Sequence, residues 1–253
     1  MRDPRQRFTG RVESYARYRP SYPRAVLELL AAECGLTSAS VVADVGSGTG
    51  ILSELFLENG NRVIGIEPNE EMRAAGERLI GDNPRFTSVA GSAESTTLED
   101  ACVDFLIAGQ AFHWFDPERA RTEFERILKP TGWVALVWNV RRKGATPFLA
   151  AYEKLLLTHG TDYAEVGHHE GVARMVQEFF GSDTFETRTF DNRQTFELDG
   201  LKGRLSSSSY VPGPGQPGHE AMMREAESTF RAHETEGKVT FEYDTKVYYG
   251  RLL

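Results

Sequence analysis

The stretch Val41-Val-Ala-Asp44-Val-Gly46-Ser-Gly48-Thr-Gly50 constrains the fold of this chain more than any other segment. Its apolar start reads as a buried strand closed by Gly46. Ile51, Leu52, Leu55 and Phe56 then recur at helical spacing up to Asn59-Gly60, a natural helix stop. Three glycines at alternate positions let the backbone turn sharply and approach a ligand with no Cβ in the way. A strand-to-helix loop of this kind is where an open α/β sheet places ligands. A dinucleotide loop would need its third glycine at position 51, which is Ile51, and a phosphate-cradling P-loop would need a lysine that is missing here.

The segments around the loop alternate β-rich runs with amphipathic helical patterns, which predicts a parallel sheet. Expected strands are Val41–Val45, Arg62–Glu67, Phe86–Ala90, Val103–Ala108 and Trp133–Trp138. Helices are expected at Pro23–Glu33, after Pro68-Asn69 with Met72, Ala75 and Leu79 inward, and after Asp116-Pro117-Glu118, an N-cap followed by proline and an acid. Beyond residue 140 helices are predicted at Phe148–Leu157, Val172–Phe180 and Glu220–His233, and strands at Phe185–Phe196 and Val239–Tyr249. A Ser/Pro/Gly-rich loop covers Ser206–Ser209 and Val211–Gly218. The predicted architecture is a Rossmann-like, doubly wound α/β sheet, mostly parallel with an antiparallel edge strand, plus added helices. It is read as one domain over 1–253, with an amino-terminal lid or helix (1–35), a cofactor-binding core (36–140) and acceptor-side helices and edge strands (141–253).

Two acids stand in register with the glycines. Asp44 precedes the strand end, where a carboxylate is costly unless it bonds to loop N–H groups or a ligand ammonium. Glu67 ends the second strand 21 positions after Gly46; an acid about 20 residues on is placed to accept ribose hydroxyls.

Asp-Val-Gly-Ser-Gly-Thr-Gly together with Glu67 resembles the first two motifs of the class I S-adenosylmethionine-dependent methyltransferases. Gly91-Ser92-Ala93-Glu94, Val103-Asp104-Phe105, Gln110-Ala-Phe-His113-Trp114-Phe115-Asp116 and Leu128-Lys-Pro-Thr-Gly132 extend the likeness. It is nearest to the small-molecule branch of trans-aconitate methyltransferase-like proteins, which share a Tyr-x-x-x-Arg-Pro-x-Tyr-Pro stretch, here Tyr15 to Pro23. The resemblance implies S-adenosyl-L-methionine as cofactor. Gly46, Ser47, Gly48 and Gly50 would face its methionine part, and Asp44 would hold the ammonium. Glu67 would accept the ribose hydroxyls, Pro68 and Met72 would border the adenine, and Ser92 and Ala93 would meet the adenine edge. Gln110 would face the methionine moiety, and Tyr18 and Arg19 are candidates for its carboxylate.

His113 is the titratable group near the expected methyl position. It is either a general base or, with Trp114, a wall of the pocket, and the second reading is preferred because a carboxylate acceptor loses no proton. Trp114, Arg141, Arg142 and Tyr210 are candidate acceptor residues, the arginines as bidentate partners of a carboxylate. His159, Asp162, His168, His169 and Glu170 lack a helical metal-ligand spacing and read as a polar loop, so no metal is expected. Two well-separated cysteines exclude a disulfide framework and a thiolate zinc site. The net charge of −8 argues against a nucleic-acid partner. No leader resembling a secretory signal and no apolar run near the ~18 residues of a membrane span are seen, so a cytoplasmic protein acting on a small molecule is expected. A non-catalytic protein that binds S-adenosylmethionine and regulates a partner is the alternative.

Overall fold

The computed structural model describes residues 12–163, 170–181 and 185–252. Seven strands form one sheet: β1 Val41–Val45, β2 Arg62–Ile66, β3 Phe86–Val89, β4 Val103–Gly109, β5 Leu128–Arg141, β6 Phe185–Phe196 and β7 Val239–Gly250. Their spatial order is β3-β2-β1-β4-β5-β7-β6. β1 to β5 are mutually parallel, whereas β7 runs antiparallel to β5 and β6 antiparallel to β7. From β1 the chain winds outward to β3, then returns to the other side of β1 as β4. The crevice beyond the carboxyl ends of β1 and β4 is therefore the topological switch point, where such sheets bind ligands.

The helices are α1 Val12–Tyr18, α2 Ala25–Cys34, α3 Ile51–Glu58, α4 Glu70–Ile80, α5 Pro117–Ile127, α6 Pro147–His159, α7 Glu170–Phe180, α8 Leu198–Ser206 and α9 His219–His233. Strand alternation builds two cores. Ala43, Ile64, Leu106, Leu136 and Trp138 point to the face covered by α5 and α7, while Val42, Val63, Phe105, Ile107 and Val137 point to α2 and α3. A third cluster joins α6, α8 and α9 to Val239, Phe241 and Tyr243 of β7. No helix among the described residues is long and apolar enough to cross a membrane.

The predicted caps form. Asn69 Oδ1 accepts from Met72 N at 3.0 Å, and Asp116 Oδ1 accepts from Arg119 N at 3.2 Å, with Pro117 at the first turn. Three expectations need correction. Leu79 is 60% exposed, because the last turn of α4 directs Ile80 rather than Leu79 onto the glycine loop at Gly50. β5 is 14 residues long, since pairing with Tyr243–Gly250 of β7 carries it on to Arg141. α1 and α8 were not foreseen; both are short helices that owe their stability to packing on each other.

Candidate active site

β1 and β2 lie in register from Val41↔Arg62 to Val45↔Ile66, which sets the glycine loop beside Glu67. Gly46 N and Ser47 N both donate to Ile66 O, at 2.8 and 3.1 Å. Gly46 has φ +68°, and a Cβ there would lie 2.7 Å from Ala111 Cβ. Both its conformation and the approach of the Ala111 turn demand glycine. Gly50 takes φ +87° to start α3 and touches Ile80; among the described residues it lines neither cavity of the site. It shapes the turn that opens α3.

Asp44 is 1% exposed. Its Oδ2 accepts from Ser53 Oγ at 2.7 Å, while Oδ1, equally buried, has no protein partner. Burial pushes its pKa from 3.8 up to about 7; the Ser53 hydroxyl offsets part of this and nearby Glu67 adds to it. Glu67 is aimed by backbone donors, with Oε1 accepting from Asn69 N at 2.8 Å and Oε2 from Gly48 N at 2.9 Å. Burial raises its pKa against those two N–H groups.

Two cavities meet here. One is lined by Glu67, Pro68, Asn69, Met72, Ser92, Ala93 and Phe115, with Glu94, Asp116 and Arg119 also on its wall. The other holds Arg19, Asp44, Ser47, Thr49, His113, Arg141, Tyr163, Arg204, Tyr210 and Tyr243. Tyr15, Gly46, Gly48, Gly109, Gln110 and Trp114 line both, so they mark the junction of one continuous cleft. Gln110 sits there at φ +56°, its N donating to Val137 O at 2.9 Å and its Nε2 to Asn139 O at 3.1 Å. Such strain in a non-glycine residue is typical of ligand-contacting turns. The next turn, a 3-10 segment at Phe112–Trp114, buries Phe112 against Trp138 and Phe179 and presents His113 and Trp114 to the cleft. The His113 and Trp114 rings lie 4.5 Å apart.

The structure brings together Arg19, Asp44, Gly46, Ser47, Gly48, Gln110, His113, Trp114, Arg141 and Tyr210 in one cavity, and Glu67, Pro68, Met72, Ser92 and Ala93 in the other. Besides Gly50, two expected residues are not there. Tyr18 faces away: on α1 the residue one turn before Arg19 is Tyr15, which occupies the cleft, while the Tyr18 ring packs on Gly203 and edge-on to Phe196. Arg142 lies outside the cavity, bonded to Asp244 at 2.6 Å and to Asp191, because consecutive strand residues point to opposite faces. Arg141 does face the cavity, but Glu153 neutralises it, Tyr163 Oη accepts from it at 2.9 Å and its guanidinium lies 4.8 Å from the Tyr152 ring.

Sequence reasoning missed Tyr15, Tyr22, Ser53, Tyr163, Arg204 and Tyr243. Tyr15 and Tyr22 lay in the quoted amino-terminal stretch, and Ser53 sits one turn into α3; Arg204 carried no local signal at all. His159 pairs with Glu225 at 2.8 Å, whereas His168 and His169 lie outside the described residues. Among the described residues no three His, Cys, Asp or Glu side chains gather as metal ligands.

The cavity fits an amino-acid-bearing nucleoside. A buried carboxylate oxygen lacking a partner suits an ammonium, Arg19 in the same cavity suits a carboxylate, and the slot with Glu67 suits an adenosine.

The family described as "Methyltransferase domain" matches residues 43–136, the segment from β1 to β5. An uncharacterised methyltransferase of Mycobacterium tuberculosis is 38% identical over 140 residues, spanning 55% of this chain and 55% of that protein. The chain thus matches only about half the length of that relative. A malonyl-[acyl-carrier protein] O-methyltransferase of Marinomonas is 30% identical over 209 residues, 81% of this chain and 69% of its own length. Among solved structures, a candidate type II methyltransferase from Anaeromyxobacter dehalogenans superposes with a TM-score of 0.66 over 93% of this chain and 99% of that one, at 24% identity. With the domain match on the segment that builds the glycine loop, and a methyltransferase relative aligned over most of both chains, this chain belongs to the class I S-adenosylmethionine-dependent methyltransferases, whose cofactor is S-adenosyl-L-methionine.

Proposed function

We propose that the chain transfers the methyl group of S-adenosyl-L-methionine to a small-molecule acceptor, and that the acceptor oxygen is a carboxylate. The observation that carries this reading is the continuity of the cleft. Glu67 stands in one cavity, Asp44 shares the other with the cations Arg19, Arg141 and Arg204, and Gln110 and Trp114 line both, so a cofactor spanning the junction would lie beside an acid held in the cation-rich cavity. Asp44 Oδ1 would take the cofactor ammonium, Arg19 its carboxylate, Glu67 the ribose hydroxyls, and Pro68, Met72 and Ala93 the adenine. When bound, the cofactor supplies an electrophilic methyl on a sulfonium.

The chain's own residues then have to align and desolvate. In-line displacement needs the acceptor oxygen at near-attack distance, and holding it there is worth several kcal/mol. A carboxylate carries its own lone pair and no proton leaves, so His113 serves as a wall beside Trp114. The Marinomonas relative is named for O-methylation of a malonyl group, which ends in a carboxylate. The Tyr15–Pro23 stretch supports the trans-aconitate-like branch. Turnover of labelled cofactor on carboxylic acids, phenols and amines tests the acceptor class. Calorimetry with S-adenosylhomocysteine and with NAD tests the cofactor: tight NAD binding with S-adenosylhomocysteine silent would sink the reading.

A further inference from the structure

Arg204, on α8 in the half of the chain outside the family match, is 6% exposed and reaches the acceptor-side cavity. No ion pair joins it to an acid among the described residues. Its Nη1 makes long contacts to Ser207 Oγ at 3.5 Å and Ser208 Oγ at 3.4 Å, and its Nε, wholly buried, has no acceptor. The Tyr243 side chain hydrogen-bonds it, Tyr152 and Tyr210 lie close by, and the Phe241 ring centroid is 5.9 Å away. Arg19 is in the same condition: Nη2 donates to Ser207 O at 3.0 Å, Nε is buried and unbonded, and no acid pairs with it among the described residues. The two guanidinium groups are close enough to repel, since burial and then Arg204 lower the Arg19 pKa. The other cations of the cavity, Arg141 and Lys143, share Glu153.

An unpaired guanidinium in a buried site is costly. Two adjacent ones call for two anions. On the function proposed above, the cofactor brings one carboxylate, which Arg19 takes opposite Asp44. The second has to come with the acceptor. We infer that Arg204 anchors an oxyanion of the methyl acceptor, a carboxylate in the first instance, and thereby selects anionic acceptors over neutral ones. The guanidinium of Arg204 offers a planar oxyanion a bidentate geometry that a lysine does not. Tyr210 is the competing partner. Burial alone would raise its phenol, but Arg204, Arg19 and Arg141 outweigh it and hold it below the usual value. If Tyr210 supplies the counter-charge itself, no exogenous anion is needed.

The test is acid-against-amide binding on the full chain. Acetate and glutarate are titrated against acetamide and glutaramide, by calorimetry and thermal shift, with and without saturating S-adenosylhomocysteine. Wild type should bind at least one acid tenfold or more tightly than its amide. Arg204→Met should abolish that preference, Arg204→Lys should keep a weakened one, and Arg142→Gln should leave it intact. Equal binding of acid and amide by the wild type, or no anion signal at all, overturns the inference and points to Tyr210 as the counter-charge. So does a preference that survives in Arg204→Met once saturating S-adenosylhomocysteine occupies Arg19. If Arg204→Met fails to fold, the wild-type comparison and Arg204→Lys decide. Silence toward S-adenosylhomocysteine refutes the methyl-transfer reading instead, and Arg204 is then judged by whether the acid preference falls from wild type to Arg204→Met, an unchanged preference overturning the inference.

Discussion

Asp44 should make cofactor affinity depend on pH in a way that a surface carboxylate would not. The side chain is 1% exposed and has Ser53 as its hydrogen-bond partner. At ~1.4 kcal/mol per pH unit, the climb of its pKa from 3.8 to about 7 corresponds to roughly 4 kcal/mol of penalty on the charged form. A ligand ammonium at Oδ1 needs that charged form. In the ligand-free protein below pH 7 the proton must leave before the ammonium is bound, so the observed Kd should rise about twofold at pH 7 and about tenfold at pH 6 relative to pH 8. Calorimetry in buffers of different ionisation enthalpy should show about one proton released on S-adenosylhomocysteine binding at pH 6. Asp44→Asn should bind weakly at every pH and release none. The same titration bears on stability with a fixed sign. The folded protein holds this proton more tightly than the unfolded chain, so the contribution of Asp44 to stability declines as pH rises from about 4 to about 7 and is flat above. A Kd that stays constant between pH 6 and pH 8, with no proton release, would refute the argument that an uncompensated Asp44 charge awaits the cofactor.

Three further outcomes are expected. Glu67→Gln keeps its shape and loses its charge, so S-adenosylhomocysteine binding should weaken by ~1–3 kcal/mol; an unchanged dissociation constant would place the ribose elsewhere. Gly46→Ala puts a methyl 2.7 Å from Ala111 Cβ at φ +68°, and should cost ~1–3 kcal/mol of stability together with cofactor affinity; full retention of both, read by thermal melts and calorimetry, would mean that the turn yields freely. His113→Ala should change turnover less than tenfold, without a new pH limb. A loss of about 10²–10⁴ with a limb near pH ~6.5 would make the imidazole a general base after all.

The cofactor end of the cleft was legible in the sequence because it is built locally. Strand, glycine turn and helix follow one another within Val41–Glu58, and the positive φ angles of Gly46, Gly48 and Gly50 are ones that glycine adopts without strain. The β1–β2 register then has only to bring Glu67 alongside, and the hydrophobic pattern of the two strands fixes that register. The antiparallel flank was legible for the same reason, as period-2 alternation in Val239–Tyr249.

The cavity proposed for the acceptor was legible only at Trp114, Arg141 and Tyr210. Its residues come from α1, the end of β5, Tyr163, α8, Tyr210 and β7, segments joined only by packing. The helical face of α1 decided that Tyr15 rather than Tyr18 enters the cleft, and strand alternation at the end of β5 sent Arg141 inward and Arg142 out. Nothing in the local sequence marks Arg204; its burial arises because α8 is held between α1, α9 and β6. Backbone turns are dictated by residues next to one another, whereas the desolvation of a charge is decided by whatever distant chain closes over it.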